Sequence, residues 1–309
     1  MALDGVVISN MIYDLDQKLI GGRITKIYQP EDDEILLVIK NERETYRLFL
    51  SASASLPLLY LVSEKKENPM IAPNFCMLLR KHINNGRIIA IAQPGMERIM
   101  DMTIEHLDEM GDVCQKHLII EIMGKHSNII FCDDSYQILD SIKHISLLVS
   151  SVREVLPGKK YEYPPNQGKD NPLLVEKEAW ITRLKQYPMT LQKAIYTTLT
   201  GISPLVAAEL CYRAKVEGGR PVEALYEPQL DALYDELCRL RQDIKEGTFV
   251  PNIVYENGVP VEFSSILLTS YEADEIRQMD DISSVLETYY AQKNLVTKIR
   301  QKSAELRHI

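Results

Sequence analysis

Apolar and polar positions alternate along the chain with two different periods, which predict blocks of helices and blocks of strands. Apolar residues recur at helical spacing through residues 3–20, where Gly21-Gly22 ends the helix. Strand-like runs bounded by turn residues then follow at 23–29, 34–40 and 45–50. A helix is predicted over 73–82, and a second meander of strands over 87–140. Such blocks indicate an α+β fold with antiparallel sheets, in which the first domain is rich in β-structure.

The second half of the chain is predicted to be mainly helical. A stretch rich in Tyr, Pro, Gly and Asn over 161–172 marks a domain boundary, so we predict a first domain over 1–172. Helical spacing over 173–245 predicts a helical domain. Residues 246–280 contain a strand hairpin and its connection, and 281–309 read as a helix whose irregular apolar stripe suits either a coiled coil or packing on the body of the protein.

Composition excludes several classes of protein. Hydrophobic residues make up 45% of the 309 residues and charged residues 26%, as in ordinary globular proteins. No apolar stretch is long enough to span a bilayer, and the amino terminus has no signal-peptide pattern. The five cysteines lack any CxxC pair, which indicates reduced thiols, and we expect a cytoplasmic protein. A net charge of −9 argues against a uniformly basic nucleic-acid binder, although clustered cations remain possible.

Polar residues with potential chemistry are concentrated at two predicted turns. The octapeptide 121–128, EIMGKHSN, lies between two apolar runs and predicts a hairpin whose glycine frees the backbone while Lys125 and His126 offer donors to an anion. An ordinary hairpin tip is the alternative. Residues 200–210 predict a helix-hairpin-helix, in which amides of Gly201, Ile202 and Ser203 could face a nucleic-acid backbone. The alternative there is a structural corner.

Catalytic and metal-binding motifs are missing from the sequence. The six histidines show no HExxH or comparable spacing, and no GxSxG, Walker or GxGxxG motif occurs. His117 and His144 each lie beside a lysine and an apolar run, which predicts solvated strand positions. We therefore expect no catalytic residue, no cofactor and no metal, and a binding protein rather than an enzyme.

Four short motifs occur in one order and carry a resemblance to a known family. They are residues 1–5 (MALDG), Glu97-Arg98 after Pro94-Gly95, the octapeptide 121–128, and residues 201–205 (GISPL). Together they resemble the NFACT family across essentially the whole chain. The resemblance implies an NFACT amino-terminal domain related in fold to formamidopyrimidine-DNA glycosylases, then a helix-hairpin-helix domain and the start of a coiled coil. It also implies that this chain is the amino-terminal part of a longer protein.

The resemblance implies a role in ribosome-associated quality control. Such proteins bind the obstructed large ribosomal subunit carrying peptidyl-tRNA, and recruit alanyl-tRNA for template-free alanine tailing of the stalled chain. A cell-surface adhesin for fibronectin or fibrinogen is the alternative. The family's Asp-Arg pair, needed for handling tRNA and for tailing, falls on Glu97 and Arg98. We predict that the hairpin also binds tRNA, through Glu121, Ile122, Met123, Gly124, Lys125 and His126. Glu97 stands where the family has Asp, which alters the reach of the carboxylate. Ala2 and Leu3 replace the catalytic Pro-Glu pair of the glycosylases, so glycosylase activity is not expected.

Overall fold

The structure is a computed structural model that describes residues 3–307, with the backbone alone described from residue 295 onward. Ala2 and His308-Ile309 lie outside the described residues. Two compact units divide the chain, one ending at Gly168 and the other beginning at Lys169. The α-helices are α1 Gly5–Leu19, α2 Asn74–Ile83, α3 Lys177–Lys185, α4 Leu191–Thr198, α5 Pro204–Arg213, α6 Glu227–Glu246 and α7 Ile282–Arg307. The strands are β1 Arg23–Tyr28, β2 Glu34–Asn41, β3 Glu44–Ser51, β4 Leu58–Leu61, β5 Arg87–Ala92, β6 Ile99–Leu107, β7 Val113–Glu121, β8 Asn128–Asp133, β9 Ile138–Ser141, β10 Asn252–Glu256, β11 Val259–Ser264 and β12 Ile276–Gln278.

The first unit is built on one antiparallel sheet with two helices against it. The strand order is β4-β3-β2-β1-β5-β6-β7-β8-β9, so two meanders join where Arg23 of β1 pairs with Arg87 of β5. Helix α1 packs on β5, β2 and β6, while α2 packs on β1, β6 and β9. Every neighbouring pair is antiparallel, as the blocks of strands predicted, and the α+β class is confirmed.

The first helix shows how sequence dictates these elements. The Asp4 carboxylate caps α1 by accepting a hydrogen bond of 2.8 Å from the Val7 amide. Val6 and Met11 are fully buried, and Gly21 at φ +84° ends the helix in the left-handed region, where glycine carries no steric penalty. The predicted helices over 3–20 and 73–82 are thus confirmed with slightly shifted ends.

A buried polar group in the sheet corrects one expectation. His117 on β7 is only 8% exposed, so its predicted solvated position is wrong. Its Nδ1 lies 2.9 Å from Asp101 Oδ1, and its ring stacks on Tyr136 at 4.1 Å between centroids. Tyr136 donates to the other Asp101 oxygen at 2.6 Å, and burial together with Asp101 raises the pKa of the Tyr136 phenol. Every residue of β7 from His117 to Glu121 is buried, and Asp101 gives the buried His117 Nδ1 a polar partner there. His144 is exposed.

The second unit combines helices with a three-stranded sheet in the order β11-β10-β12. Asn257 and Gly258 both have positive φ (51° and 76°), as the predicted two-residue hairpin between β10 and β11 requires. The beginning of α7 packs on this sheet, where Tyr289 lies 4.8 Å from the Phe263 ring. The predicted coiled coil over 281–309 depends largely on side chains from residue 295 onward, which lie outside those described. All five cysteines are free thiols.

Candidate nucleic-acid interface

The hairpin predicted at 121–128 is present, and its tip is a short 3₁₀ turn, Gly124–His126, between β7 and β8. Gly124 has φ +55°, a left-handed conformation that the absent side chain permits. The Met123 amide donates to Ser127 Oγ at 2.8 Å, and the Ser127 amide donates to Gly124 O at 3.0 Å. Lys125 and His126 are exposed, and neither side chain has a hydrogen-bond or ion-pair partner among the described residues. The tip therefore presents two donor side chains on a braced loop.

The first two residues of the octapeptide support the tip from below. Glu121 and Ile122 are both 0% exposed. Glu121 accepts hydrogen bonds from the Arg153 guanidinium and, at 2.9 Å, from the Tyr161 hydroxyl. Burial raises the pKa of Glu121, and the Arg153 charge and both hydrogen bonds oppose that rise. The sequence predicted both residues as direct tRNA contacts, but in this structure neither has surface to offer a ligand.

The last two residues of the octapeptide anchor its other end. Ser127 and Asn128 are 1% and 2% exposed. The Asn128 side chain binds the backbone of Lys143 in both directions: its Nδ2 donates to Lys143 O at 2.9 Å, and its Oδ1 accepts from the Lys143 amide at 3.0 Å. Four of the eight residues are thus anchors, and the four between them, from Met123 to His126, are half-buried or exposed.

The Glu97-Arg98 pair lies next to this hairpin. Both residues belong to the loop between β5 and β6, immediately before β6 begins at Ile99. The loop turns at Gly95, whose φ is +55°, and the Glu97 amide donates to Pro94 O at 3.0 Å. The Ile122 amide then donates to Arg98 O at 2.8 Å, which joins the loop directly to the hairpin. The half-buried Arg98 guanidinium has no acceptor within the described part of the chain.

One residue that the sequence did not single out connects this loop to the start of α1. Gln93 Nε2 donates to Gly5 O at 3.0 Å and to Glu97 O at 2.9 Å, and its Oε1 accepts from Ser9 Oγ at 2.7 Å. Three of the four sequence motifs therefore meet within the first unit. The only hint of Gln93 in the sequence was its position immediately before the Pro94-Gly95 turn.

The second predicted turn belongs to the other unit. Helix α4 ends at Thr198 and α5 begins at Pro204, with Gly201 between them at φ +75°. Ser203 caps α5, because its Oγ accepts from the Val206 amide at 3.3 Å. The Ile202 and Ser203 side chains are buried, so only backbone groups could meet a ligand. Within residues 3–307, the Gly201 amide has no hydrogen-bond acceptor, so it could donate to a phosphate.

No metal site accompanies these features in the described residues, where no group of three or more His, Cys, Asp or Glu side chains converges. The described helices are all too short or too polar to cross a membrane.

Arg98, Lys125 and His126, whose side chains have no partner among the described residues, lie in adjoining segments around a braced hairpin, and donors of these types could bind an anion. The chain belongs to the NFACT family: residues 4–309 match the family's N-terminal and middle domains. The resemblance seen in the four sequence motifs is therefore confirmed.

Three relatives place the chain within this family. It is 36% identical over 307 residues to the Rqc2 homolog RqcH of Bacillus subtilis, covering 99% of this chain and 52% of that protein. Human "ribosome quality control complex subunit NEMF" is 26% identical over 133 residues, or 43% of this chain and 12% of that protein. The solved fibrinogen binding protein from Staphylococcus aureus superposes with a TM-score of 0.79 at 28% identity, covering 94% of this chain and 99% of that one. The chain spans about half the length of the curated bacterial relatives it matches.

Proposed function

We propose that this chain is the tRNA-handling part of a ribosome quality-control factor. The factor binds the obstructed large ribosomal subunit with its peptidyl-tRNA and recruits alanyl-tRNA for template-free alanine tailing. The observation that carries the proposal is the junction of the Arg98 loop with the Met123–His126 tip, where three unpaired donor side chains belong to adjoining segments. The family relatives named for ribosome quality control support the same role.

The chemistry of these side chains suits a nucleic-acid backbone. An arginine guanidinium can bind phosphate through two parallel hydrogen bonds, and Lys125 adds a point charge. Met123 is half-buried and uncharged, so its contribution would be apolar contact with ribose or a base. Contacts of this kind position an RNA without reading its sequence. The peptide bond would then form in the peptidyl-transferase centre of the ribosome, so the protein positions substrate without catalysing the reaction, in the cytoplasm and without a cofactor.

The second candidate is an adhesin for fibrinogen or fibronectin. It is favoured by the name of the Staphylococcus aureus relative, whose fold this chain shares along 94% of its length. The two candidates differ in ligand chemistry. An RNA-binding tip loses affinity as salt rises, because each phosphate contact releases counterions.

The test compares Arg98→Ala with Arg87→Ala in the full-length protein, using a tailing assay on stalled nascent chains. Arg87 is an exposed arginine at the far end of β5 in the same unit, so it controls for loss of one positive charge. We expect Arg98→Ala to abolish alanine tails, Arg87→Ala to keep them, and both variants to melt like the parent. Tails that persist in Arg98→Ala would refute the assigned role. Sequencing of co-purified RNA supplies the discriminating control, since an adhesin would carry no enriched large-subunit RNA or tRNA.

A further inference from the structure

A row of cations crosses the first three strands, away from the hairpin tip. Lys26 of β1 pairs with Val38 of β2, and Val38 pairs with Arg47 of β3. Residues directly opposite each other in an antiparallel sheet project to the same face. Adjacent strands lie about 4.8 Å apart, so the Cα atoms of Lys26 and Arg47 are roughly 10 Å apart, with an apolar residue between them.

An aromatic row lies beside the cation row on the same face. Tyr28 pairs with Leu36, and Leu36 pairs with Phe49. Phe49 is buried, and the Lys66 ammonium lies 4.2 Å from its ring centroid. Tyr28 is half-buried, and Arg80 lies 5.7 Å from its ring centroid. The open aromatic surface is therefore the Tyr28 ring.

The two rows and the segment after β4 enclose a depression of about 320 Å³. Lys26, Arg47 and Lys65 line it, and across residues 3–294 none of these three side chains has a carboxylate or other acceptor. Lys66 differs, because it pairs with Glu34 at 3.0 Å. Thr45 and Asn68 add a hydroxyl and an amide to the same walls. A chain with net charge −9 thus gathers three unneutralised cations around one aromatic ring.

We propose that this sheet face is a second RNA-binding surface, which takes a single-stranded ribonucleotide segment. Cations flanking a half-buried ring on a sheet suit a single strand whose base stacks on the open part of the ring while its phosphates meet Lys26 and Arg47. The hydroxyl and amide groups can meet ribose hydroxyls or base edges. An acidic peptide would use the cations but leave the ring and these polar groups without a role. The source of the RNA is taken from the proposed function. The existence of the surface does not depend on that function, because the surface shares no residue with the hairpin tip.

The test measures binding of a fluorescein-labelled, mixed-sequence single-stranded RNA oligonucleotide to this chain by anisotropy, across a salt titration. Arg47→Gln removes one charge at nearly constant size, Tyr28→Leu removes the ring, and Arg87→Gln is the charge-matched control. We expect Arg47→Gln to reduce the salt slope by about 0.7, the value for one phosphate contact with a single strand. Tyr28→Leu should weaken binding roughly 5- to 150-fold, the loss of one stacked base, with little change in slope. Arg87→Gln should match the parent, and thermal melts should confirm that all variants fold.

A parallel titration with Lys125→Ala separates this proposal from the proposed function. Loss of binding in Arg47→Gln and Tyr28→Leu supports the sheet surface even if Lys125→Ala has no effect, in which case the assigned tip is wrong. Unchanged binding in both sheet variants overturns the sheet surface even if Lys125→Ala weakens binding. A competition experiment gives a second refuting outcome. If poly-glutamate displaces the labelled RNA as effectively per charge as unlabelled RNA does, the surface recognises charge alone and the proposed RNA-binding surface is overturned.

Discussion

The buried ion pair beneath the hairpin tip can be tested by removing its cation. Glu121 is 0% exposed, and the Arg153 side chain only 14% exposed, so Arg153→Met leaves a carboxylate in the interior with the Tyr161 hydroxyl as its remaining partner. Breaking a buried pair in this way costs about 3–5 kcal/mol. At about 2–4 °C per kcal/mol for a unit of this size, we expect the melting temperature of the first unit to fall by about 6–20 °C.

Calorimetry and tryptophan fluorescence together provide the assay. The chain has one tryptophan, Trp180, and it lies buried in the second unit. A change in tryptophan fluorescence therefore reports unfolding of the second unit. A calorimetric transition that occurs without a fluorescence change reports unfolding of the first unit. The control is Lys159→Met, which breaks the more exposed Lys159–Glu154 pair and should cost about 0–1 kcal/mol.

Protonation should relieve the defect, and the direction follows from the raised pKa of Glu121. A carboxyl group whose folded pKa exceeds its unfolded pKa contributes stability at low pH and loses it as pH rises through the folded value. The deficit of Arg153→Met should therefore shrink as the pH is lowered through the raised pKa. Adding Glu121→Gln removes the charge, keeps an acceptor for Tyr161, and should restore at least half of the stability. An Arg153→Met protein that melts like the parent, or a double variant no better than the single one, would refute this account.

Three further predictions concern the tip and the second unit. Lys125→Ala should reduce the salt slope of tRNA binding by about 0.7–0.9 if it meets one phosphate, and equal slopes would return Lys125 to the solvated surface. Gly201→Val should weaken large-subunit or tRNA binding more than Lys215→Glu does, because valine is strained at φ +75°, and its circular dichroism should be nearly unchanged. A larger effect of Lys215→Glu would mean that the turn is only a structural corner. Burial alone would raise the pKa of Glu209, but hydrogen bonds from the Thr269 side chain and amide, the Arg213 guanidinium and the Ser270 amide lower it. The stability that the Glu209 carboxylate contributes is therefore lost as pH falls through the lowered pKa. Glu209→Gln should cost about 2–3 kcal/mol at neutral pH and progressively less in acid, which denaturant titration at several pH values would measure.

The contacts of Glu209 decide which nearby cation is a suitable charge-reversal control for Gly201→Val. Arg213 and Lys215 are both cations that follow the Gly201 turn in the chain. Arg213 donates to the buried Glu209 carboxylate at 2.8 Å and also to Leu267 O, so reversing its charge would damage the fold. Lys215 is exposed, which makes it the cleaner probe of surface charge.

Local patterns predicted most of the elements because their causes are local. The helix over 3–20 depends on the periodic burial of side chains and on Gly21, and the hairpin at Asn257-Gly258 depends on two residues that tolerate positive φ. The octapeptide hairpin likewise follows from two apolar runs separated by Gly124. Each of these signals lies within a few residues of the structure it specifies.

The roles of the individual site residues depended on contacts between distant parts of the chain. Glu121 and Lys125 are four positions apart and both polar, yet the first is buried and the second exposed. That difference arises because Arg153, 32 residues away, provides a buried cation for Glu121 alone. The position of Arg98 beside the tip follows from the register of β6 and β7, which pairs Ile99 with Glu121, and the hydrogen bond from the Ile122 amide to Arg98 O continues that ladder.

The amino-acid sequence by itself thus determined the α+β class, the hairpin and glycine turns, and membership of the NFACT family, because propensity, periodicity and motif order are properties of neighbouring residues. Tertiary structure alone decided which polar side chains became supports and which remained free to bind. Whether a polar side chain is buried depends on strand register and on whether a distant residue provides a charge of opposite sign, since a buried charge is stable only when it is paired.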